Sequence, residues 1–397
     1  MPLDLTRSRR LGAPHDSGAR RGVVSMDWVP AQPGDSIREI DTPALILDLD
    51  KFEANLKRMT DFATRAGVRI RPHAKTHKCA EIARRQIDAF GGGVCVQKLG
   101  EAEAMLAGDV TDILITNQLV GERKLRRLAR LARAYAPARL GVCVDNLDVA
   151  RQLSTICEAE EARVEVYVDV DLGQNCTGVQ TAEEAVELAR ILVASPTLEF
   201  MGVHAFSSLI QHRRGVPERR EAVDRASLRA SLVRDGLLAA NLPCDVVCGG
   251  GTGSFLYEAA GGVFGEVHAG SFALMDVNYA RNEVDPAGPA FEFAMFVLTS
   301  VMSVGAERAT LDAGLKAFST DAGPPRPTFS GWRVRSVTDE HTVLMRAEDG
   351  VPIKLGDKAL LIPSRCDLTT NLHDWIVAIR KNTVEAVWPI DARGALY

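Results

Sequence analysis

The chain has 397 residues, of which 46% are hydrophobic and 25% charged, the composition of an ordinary globular protein. A chain of this length is expected to form one large and one smaller domain. The net charge of -5 is spread along the sequence instead of forming a basic face, so no nucleic-acid partner is expected. No run approaches the roughly 18 apolar residues of a membrane helix, so no membrane partner is expected either.

The start of the chain is rich in Arg, Gly, Pro and Ser, and this composition predicts a flexible N-terminal segment over residues 1–38. No apolar region follows the early arginines, which argues against a secretory signal. The eight cysteines lack both zinc-type pairs and the spacing of a disulfide framework, so free thiols are predicted. These features together predict a cytoplasmic protein.

Strands alternate with helices from about residue 42 to residue 280. The strand segments read TPALILDLD, VRIRPHAK, GVCVQ, DILITN, ARLGVCVDN, RVEVYVDVDLG, LEFMGVHAF and CDVVCGGG. Such alternation implies parallel strands joined by crossover helices. About eight units favour an α/β protein with a closed (β/α)8 TIM barrel, here predicted over residues 39–284.

The helical spacing of hydrophobic residues ends after about residue 285. Short alternating runs such as FVLTSVMSVG, HTVLMRA, DWIVAIR and TVEAVWPI follow, separated by Gly, Asp and Pro. This pattern predicts a C-terminal β domain over residues 285–397, which could also include a first strand from the N-terminal segment.

Lys75 ends the strand segment VRIRPHAK, and catalytic groups of a TIM barrel lie at this end of the strands. A lysine that forms a Schiff base must be partly dehydrated, so that its amine is neutral and nucleophilic. The nearby His73, His77 and Lys78 supply positive charge that would lower its pKa. A lone lysine at a strand end is more often an ion-pair partner, so a second feature is needed.

That second feature is the glycine-rich segment CGGGTGSF, residues 248–255, after a late strand. Glycines let backbone N–H groups surround a phosphate, and Thr252 can add its hydroxyl. Phosphate sites of TIM barrels favour the loops after strands 7 and 8. The segment therefore predicts a phosphate site, although glycines also make plain turns.

Several motifs that recur in order resemble the D-threonine aldolase and D-serine dehydratase family. They are RPHAKTHK, GGGTGS, AGSFALMD and DAGLKAFS, and EIDTPALILDLD, NLHDW and VWPIDARG are most similar to D-3-hydroxyaspartate aldolases. The resemblance implies an alanine racemase-like fold, with a (β/α)8 barrel that carries pyridoxal 5'-phosphate (PLP), a C-terminal β domain and assembly as a homodimer.

The resemblance also implies roles for individual residues. Lys75 would form the Schiff base with PLP. The phosphate would be bound by Gly250, Gly251 and Thr252, with Tyr279 beside it. The residues near the ring and the substrate would be His73, also a catalytic candidate, Gln97 and Asn117; each of these could equally make ordinary strand-end hydrogen bonds.

Three positions depart from the family pattern. Arg365, in PSRCDLT, stands where the family has a histidine that binds a divalent metal, Mg or Mn, together with a residue two positions on. Asp367 remains as a metal candidate, but arginine cannot coordinate a metal and one carboxylate is too few ligands. Cys176 replaces an arginine near the pyridine nitrogen of the cofactor, and Phe206 replaces a tyrosine near the imine.

Arg365 can be interpreted in two ways. It could be an ordinary surface arginine in a motif that has lost its role. Alternatively, its fixed positive charge could replace the metal at the substrate β-hydroxyl, or it could bind a substrate carboxylate with Asp367 nearby.

The sequence therefore predicts a PLP-dependent lyase that acts on a small amino-acid substrate, a D-configured β-hydroxy amino acid. Retro-aldol cleavage to glycine and an aldehyde or glyoxylate is the first expectation, and dehydration is the second. A metal-independent racemase or another divergent PLP enzyme is the alternative, because racemisation needs only proton transfer at Cα. A non-catalytic PLP-binding protein is a further alternative, although such small barrel proteins lack a C-terminal domain.

Overall fold

The computed structural model describes residues 28–397, and its larger part is a parallel barrel. The first strand, β1 (Ala44–Asp48), lies outside the barrel. The barrel strands are β2 (Arg69–Ile70), β3 (Val94–Val96), β4 (Asp112–Gln118), β5 (Arg139–Val144), β6 (Val164–Val170), β7 (Leu198–Ala205), β8 (Val246–Gly249) and β9 (Glu266–Val267). Their order around the sheet is β2-β9-β8-β7-β6-β5-β4-β3.

A short bridge joins the two edges of this sheet. His73, just beyond β2, pairs in parallel with Cys95 of β3, and the Cys95 N–H donates to the carbonyl oxygen of Pro72 at 2.9 Å. The barrel predicted from the sequence is thereby confirmed. Its strands are buried on both faces, as in β6, where every residue is buried, because helices cover the outer surface.

Helices fill most intervals between the barrel strands. They are α1 (Leu49–Ala66), α2 (Ala80–Phe90), α3 (Leu99–Ala107), α4 (Glu122–Ala134), α5 (Leu147–Ala159), α6 (Ala182–Ala194), α7 (Val216–Ala239) and α8 (Phe255–Ala260), and a late helix, α9 (Cys366–Thr370), lies between strands of the second domain. Among the described residues, no helix is both long and apolar enough to cross a membrane.

The second domain is a nine-stranded, mostly antiparallel sheet. It contains β1 together with β10 (Met295–Val304), β11 (Arg308–Leu311), β12 (Arg326–Pro327), β13 (Trp332–Val337), β14 (Thr342–Arg346), β15 (Lys358–Ile362), β16 (Trp375–Arg380) and β17 (Thr383–Pro389). The β domain expected at the C-terminus is thereby confirmed.

The first strand corrects the predicted strand series. The sequence pattern predicts TPALILDLD as a barrel strand, but β1 pairs antiparallel with β10 and parallel with β16. Four of its five residues are buried, which suits the centre of this sheet. The eighth barrel strand is instead β9, whose two residues are too few to give a period in the sequence.

The N-terminal segment predicted to be flexible lies mostly outside the described residues, over 1–27. The remainder, 28–38, is tied to the second domain. The N–H groups of Gly34 and Ile37 donate to the carbonyl oxygens of Val384 and Asn382, at 2.8 and 2.9 Å. The sequence missed this anchoring because the partners lie near the opposite end of the chain.

Candidate active site

A cavity of about 280 Å³ opens at the carboxyl ends of the barrel strands and reaches the second domain. It brings together most residues predicted from the sequence. These are His73, Lys75, Gln97, Asn117, Cys176, Phe206, Gly251, Thr252, Tyr279, Arg365 and Asp367. Gly250, next to Gly251 in the chain, is buried and does not line the cavity.

Lys75 lies in a single helical turn, Ala74–Thr76, that follows β2. Its side chain is 37% exposed, and its Nζ lies 3.6 Å from Oδ1 of Asp367 in the second domain. The amine therefore faces the cavity from one domain while a carboxylate faces it from the other. The backbone of Lys75 is held in this turn, because its N–H donates to the side chain of His73.

His73 contacts both the backbone of Lys75 and a side chain of the neighbouring strand β4. Its Nδ1 accepts the backbone N–H of Lys75 at 3.3 Å, and its Nε2 lies 3.0 Å from Oγ1 of Thr116. Burial, and then the charge of Lys75, lower its pKa well below the usual range, so the ring is neutral. Since both ring nitrogens are engaged, the geometry favours a role for His73, predicted as a catalytic candidate, in positioning Lys75.

Gln97 and Asn117 follow neighbouring strands and line the same wall. The Gln97 Nε2 donates to the carbonyl oxygen of Thr116 at 3.2 Å, which holds its amide at the ends of β3 and β4. Asn117 lies on β4 and turns into the cavity. Gln97 therefore makes the ordinary strand-end hydrogen bond that was the alternative to a role near the ring and the substrate.

Two buried residues that line the cavity, Asp169 and His204, were not predicted from the sequence. Their Oδ1 and Nδ1 atoms lie 2.7 Å apart, and Asp169 also accepts hydrogen bonds from Gln118 at 2.6 Å and Thr177 at 2.9 Å. Burial would raise the pKa of Asp169, but these hydrogen bonds lower it. Both residues lie near the carboxyl ends of otherwise apolar strands. A polar residue at such a position was the sequence signal that could have identified them.

Cys176 and Phe206, the two barrel positions expected to depart from the family pattern, both line the cavity. Cys176 is exposed in the loop after β6, and Phe206 follows β7. The aromatic ring of Phe206 offers surface without a hydroxyl, so it cannot donate a hydrogen bond there.

The glycine-rich segment forms a tight turn between β8 and α8. The N–H of Gly253 donates to Oε1 of Gln211 at 3.0 Å, and a Cβ on Gly253 would lie 2.1 Å from the Gln211 carbonyl oxygen. Gly250 has a φ of +69°, where side chains are strained. The Thr252 Oγ1 accepts the N–H of Phe272 at 3.0 Å. Glycine is therefore required at position 253, because the backbone of Gln211 approaches too closely for a side chain.

Glu258 lies beneath this turn and was not predicted. Its Oε1 accepts the Ser254 hydroxyl at 2.8 Å, and its Oε2 is buried with no partner among the described residues. Burial raises its pKa from 4.5 to about 8, so the carboxyl is neutral at pH 7. A neutral acid does not repel an anion bound on the turn above it.

Glu258→Gln is expected to change how stability depends on pH. In the unfolded chain Glu258 ionises near pH 4.5, whereas in the folded chain it stays neutral up to about pH 8. The free energy of unfolding should therefore fall by about 1.4 kcal/mol per pH unit across that window, and Gln removes this loss. Denaturant unfolding at pH 5 and pH 7 should show Glu258→Gln gaining about 2–3 kcal/mol over the wild type between them. Glu348→Gln, at an exposed position, is the control, and parallel pH curves for Glu258→Gln and the wild type would contradict the assignment.

Arg365 and Asp367 enter the cavity from the second domain, at the start of α9. The Arg365 Nη1 lies 2.9 Å from Oδ2 of Asp321, its one hydrogen-bond partner among residues 28–397. Arg365 is 35% exposed, so its remaining N–H groups can reach a bound molecule. Tyr279 lines the same wall, and burial raises the pKa of its hydroxyl.

His212 is a second histidine that the sequence analysis missed. Its ring packs on Tyr279 with centroids 4.8 Å apart, and Asn278 holds it through Nδ2 at 3.3 Å. Burial, with the charges of Arg214 and Arg365, lowers its pKa to about 4, so it is a neutral base at pH 7. It lies in the loop after β7, where nothing in the sequence distinguished it.

The residues at the expected metal position do not fit a metal. Arg365 is a cation that pairs with Asp321, and Asp367 faces Lys75. Among the described residues, three potential ligands come together elsewhere, in Cys248, Glu266 and His268, whose ligating atoms lie within 4.8 Å of one another.

Comparison with known families gives matches over most of the chain. The model described as "Alanine racemase, N-terminal domain" matches residues 47–276. A serine dehydratase domain model matches residues 294–379. The two models therefore cover the barrel and the second domain separately.

Characterised relatives match nearly the whole chain. A D-threonine aldolase from Arthrobacter sp. is 43% identical, with 92% of this chain and 96% of that protein covered. A 3-hydroxy-D-aspartate aldolase from Paracoccus denitrificans is 40% identical, with 93% and 96% covered. The crystal structure of D-threonine aldolase from Filomicrobium marinum superposes with a TM-score of 0.89 at 41% identity, covering 93% of this chain and 100% of that one. The chain therefore belongs to the family of the D-threonine and 3-hydroxy-D-aspartate aldolases, which has the alanine racemase-like fold.

Proposed function

We propose that the protein is a PLP-dependent lyase that cleaves D-configured β-hydroxy amino acids to glycine and an aldehyde or glyoxylate. The observation that carries this proposal is the Lys75 amine, which faces a cavity between a glycine-rich turn and the pair Arg365 and Asp367. Aldolase relatives at 43% and 40% identity support the reaction class, whereas a dehydratase from Delftia sp. is 28% identical.

The residues of the cavity fit PLP. Lys75 offers a primary amine to the aldehyde, and the turn at Gly250, Gly251 and Thr252 offers a close backbone approach to the phosphate. The neutral carboxyl of Glu258 beneath the turn carries no negative charge that would repel the phosphate. Bound PLP supplies the electron sink that cleavage of the Cα–Cβ bond needs.

The side chains around the cofactor then have separate tasks. Lys75 holds the aldehyde end, and His73 fixes the backbone of Lys75 through Nδ1. Tyr279 closes the cavity beside the phosphate, and Gln97 and Asn117 bound the ring and the substrate from the wall formed by β3 and β4. Cys176 and Phe206 line the cavity where the resemblance implies an arginine near the ring nitrogen and a tyrosine near the imine.

Arg365 takes the place of a metal in this proposal. Its guanidinium binds the β-hydroxyl oxygen or a carboxylate of the substrate, with Asp321 holding it in place. Neutral His212, whose ring packs on the cavity residue Tyr279 with centroids 4.8 Å apart, would accept the hydroxyl proton. Asp367, beside Lys75, faces the substrate amino group. No step of this mechanism uses a divalent metal.

Product analysis with D-threonine, D-3-hydroxyaspartate and D-serine tests the proposal. We expect glycine with acetaldehyde from D-threonine, or glycine with glyoxylate from D-3-hydroxyaspartate, because the relatives that match most of the chain are aldolases. Ammonia with a keto acid would instead identify a dehydratase, and the enantiomer alone would identify a racemase. Retained PLP without turnover would identify a cofactor-binding protein.

We also propose that the protein works in the cytoplasm as a homodimer, as the resemblance to its family implies. All eight cysteines are free, which suits a reducing compartment.

A further inference from the structure

The loop after β7 carries His212 and is tied to the linking segment, residues 277–283, which leads from the barrel towards β10. The Asn282 Nδ2 donates to the carbonyl oxygen of Gln211 at 2.9 Å. The linking segment also contains Tyr279, which lines the cavity. The position of His212 relative to the cavity therefore depends on contacts between these two stretches of the chain.

Arg214 joins the loop to the linking segment through three hydrogen bonds. Its Nη1 donates to the carbonyl oxygen of Asn278 at 2.6 Å and to Oδ1 of Asn282 at 2.7 Å. Its Nη2 donates to Oδ1 of Asn278 at 2.6 Å. All three acceptors are neutral amide oxygens, so these contacts do not neutralise the positive charge of the guanidinium.

The contacts of Arg214 fix the orientation of the Asn278 amide. A guanidinium only donates hydrogen bonds, so the side-chain oxygen of Asn278 faces Arg214 and the side-chain nitrogen faces His212. This nitrogen lies 3.3 Å from Nε2 and 3.4 Å from Nδ1 of the ring. Because the directions of the two ring nitrogens diverge, a donor that is nearly equidistant from both points along neither. Asn278 therefore contacts the ring while leaving its lone pair free to accept a proton.

The same ring packs on Tyr279, with centroids 4.8 Å apart. Its two contacts, Asn278 and Tyr279, are adjacent in the chain. The carbonyl group that accepts from Arg214 at 2.6 Å belongs to the planar peptide unit that joins them. One guanidinium therefore holds both the side chain of Asn278 and the backbone that leads to Tyr279.

The charge of Arg214 also acts on His212. Burial comes first, and the charge of Arg214 second, among the causes that lower the pKa of His212 to about 4. The charges of Lys75, Arg365 and Asp367, which line the cavity, act on the same pKa. The ring therefore lies close enough to the cavity for its protonation to depend on the residues there.

We propose that Arg214 is a positioning residue, which holds His212 in place for proton transfer through Asn278. This inference rests on the proposed function, in which His212 takes the proton of the substrate hydroxyl. Arg214 does not line the cavity, and its guanidinium is occupied by the linking segment. Because it acts through His212, its loss should slow the chemical step more than it weakens substrate binding.

Steady-state kinetics with D-threonine and D-3-hydroxyaspartate test the positioning. Arg214→Gln is expected to lower kcat by about 10–100-fold, while KM changes by less than about 3-fold. Arg214→Lys should recover little of this loss, because an ammonium group lacks the planar fork that meets these acceptors. Arg213→Gln, at the adjacent exposed arginine, is the matched control and should keep the wild-type kcat. An unchanged kcat in Arg214→Gln, or an equal loss in Arg213→Gln, would overturn the inference.

Asn278→Ala tests whether the effect passes through the amide. The double variant with Arg214→Lys should be no slower than the slower of the two single variants, because both substitutions interrupt the same chain of contacts. Losses that multiply would mean that Arg214 acts by another route, and the inference would fail. These two substitutions also test the proposal if Arg214→Gln does not fold.

The pKa of His212 gives a readout that needs no turnover. NMR titration of the labelled histidines in the protein without PLP should show this pKa rising from about 4 towards 6.5 in Arg214→Gln, since a positive charge is lost. In Arg214→Lys, which keeps the charge, it should stay low. An unchanged pKa in Arg214→Gln would contradict the contact between Arg214 and His212. If the pKa rises but the wild type cleaves no β-hydroxy amino acid, the proposed function fails and the positioning role in it falls with it, whereas an active wild type with an unimpaired Arg214→Gln refutes the positioning role alone.

Discussion

Lys75→Ala is expected to leave a protein that folds but holds no covalently bound cofactor. The pair between Lys75 and Asp367 is partly exposed and 3.6 Å long, so its loss should cost less than about 1 kcal/mol of stability. Activity should fall by about 10⁴-fold or more, because the amine that forms the covalent link is gone. Visible absorbance of the purified protein and turnover of D-threonine measure the two effects.

Lys51→Ala is the matched control for this variant. Lys51 is 39% exposed and pairs with Asp48 at 2.9 Å, close to the exposure and pairing of Lys75, but it lies at the start of α1. It should keep both the colour and the activity of the wild type. A Lys75→Ala protein that keeps the cofactor absorbance after dialysis would refute the central assignment.

Arg365→Ala is expected to lower kcat/KM by about 10²–10³-fold, the usual effect of removing a donor from developing negative charge. Arg365→Lys should recover part of this loss, because it restores the charge but not the planar pair of donors. The Arg365→Ala protein should retain bound PLP, since Lys75 lies in the other domain. Steady-state kinetics with D-threonine and D-3-hydroxyaspartate measure the loss.

Chelation distinguishes the guanidinium from a metal. Activity of the wild type should not change with a chelator, because Arg365 and Asp367 supply no adequate set of ligands. Arg308→Ala, on β11 of the second domain, should behave like the wild type throughout. Strong loss with chelator, followed by rescue with Mg or Mn, would rule out replacement of the metal by Arg365.

The barrel could be predicted because its signal is local. Alternating strands and helices give their periods within a few residues, and β6 and β7 show this most clearly. The place of β1 could not be predicted in the same way, because its neighbours β10 and β16 are distant in sequence. A two-residue strand such as β9 has no period at all.

The same difference between local sequence signals and long-range contacts applies to the residues of the active site. Lys75 and the glycine-rich turn could be predicted near the cavity because each follows a barrel strand in a distinctive local segment. Glu258, His268 and His212 could not be predicted, since each depends on a different neighbour that folding brings to it. Burial decides the protonation of all three, and burial is a property of the tertiary structure.

The position of β1 determines how the protein could be cut into separately folding domains. Because β1 lies between β10 and β16, the second sheet is built from both ends of the chain, with the barrel inserted between them. A single cut near residue 285 would therefore leave the C-terminal piece without a central strand and expose the apolar edges of β10 and β16. A self-sufficient second domain would have to be spliced from two separate stretches, with β1 joined to β10 by a new linker in place of the barrel.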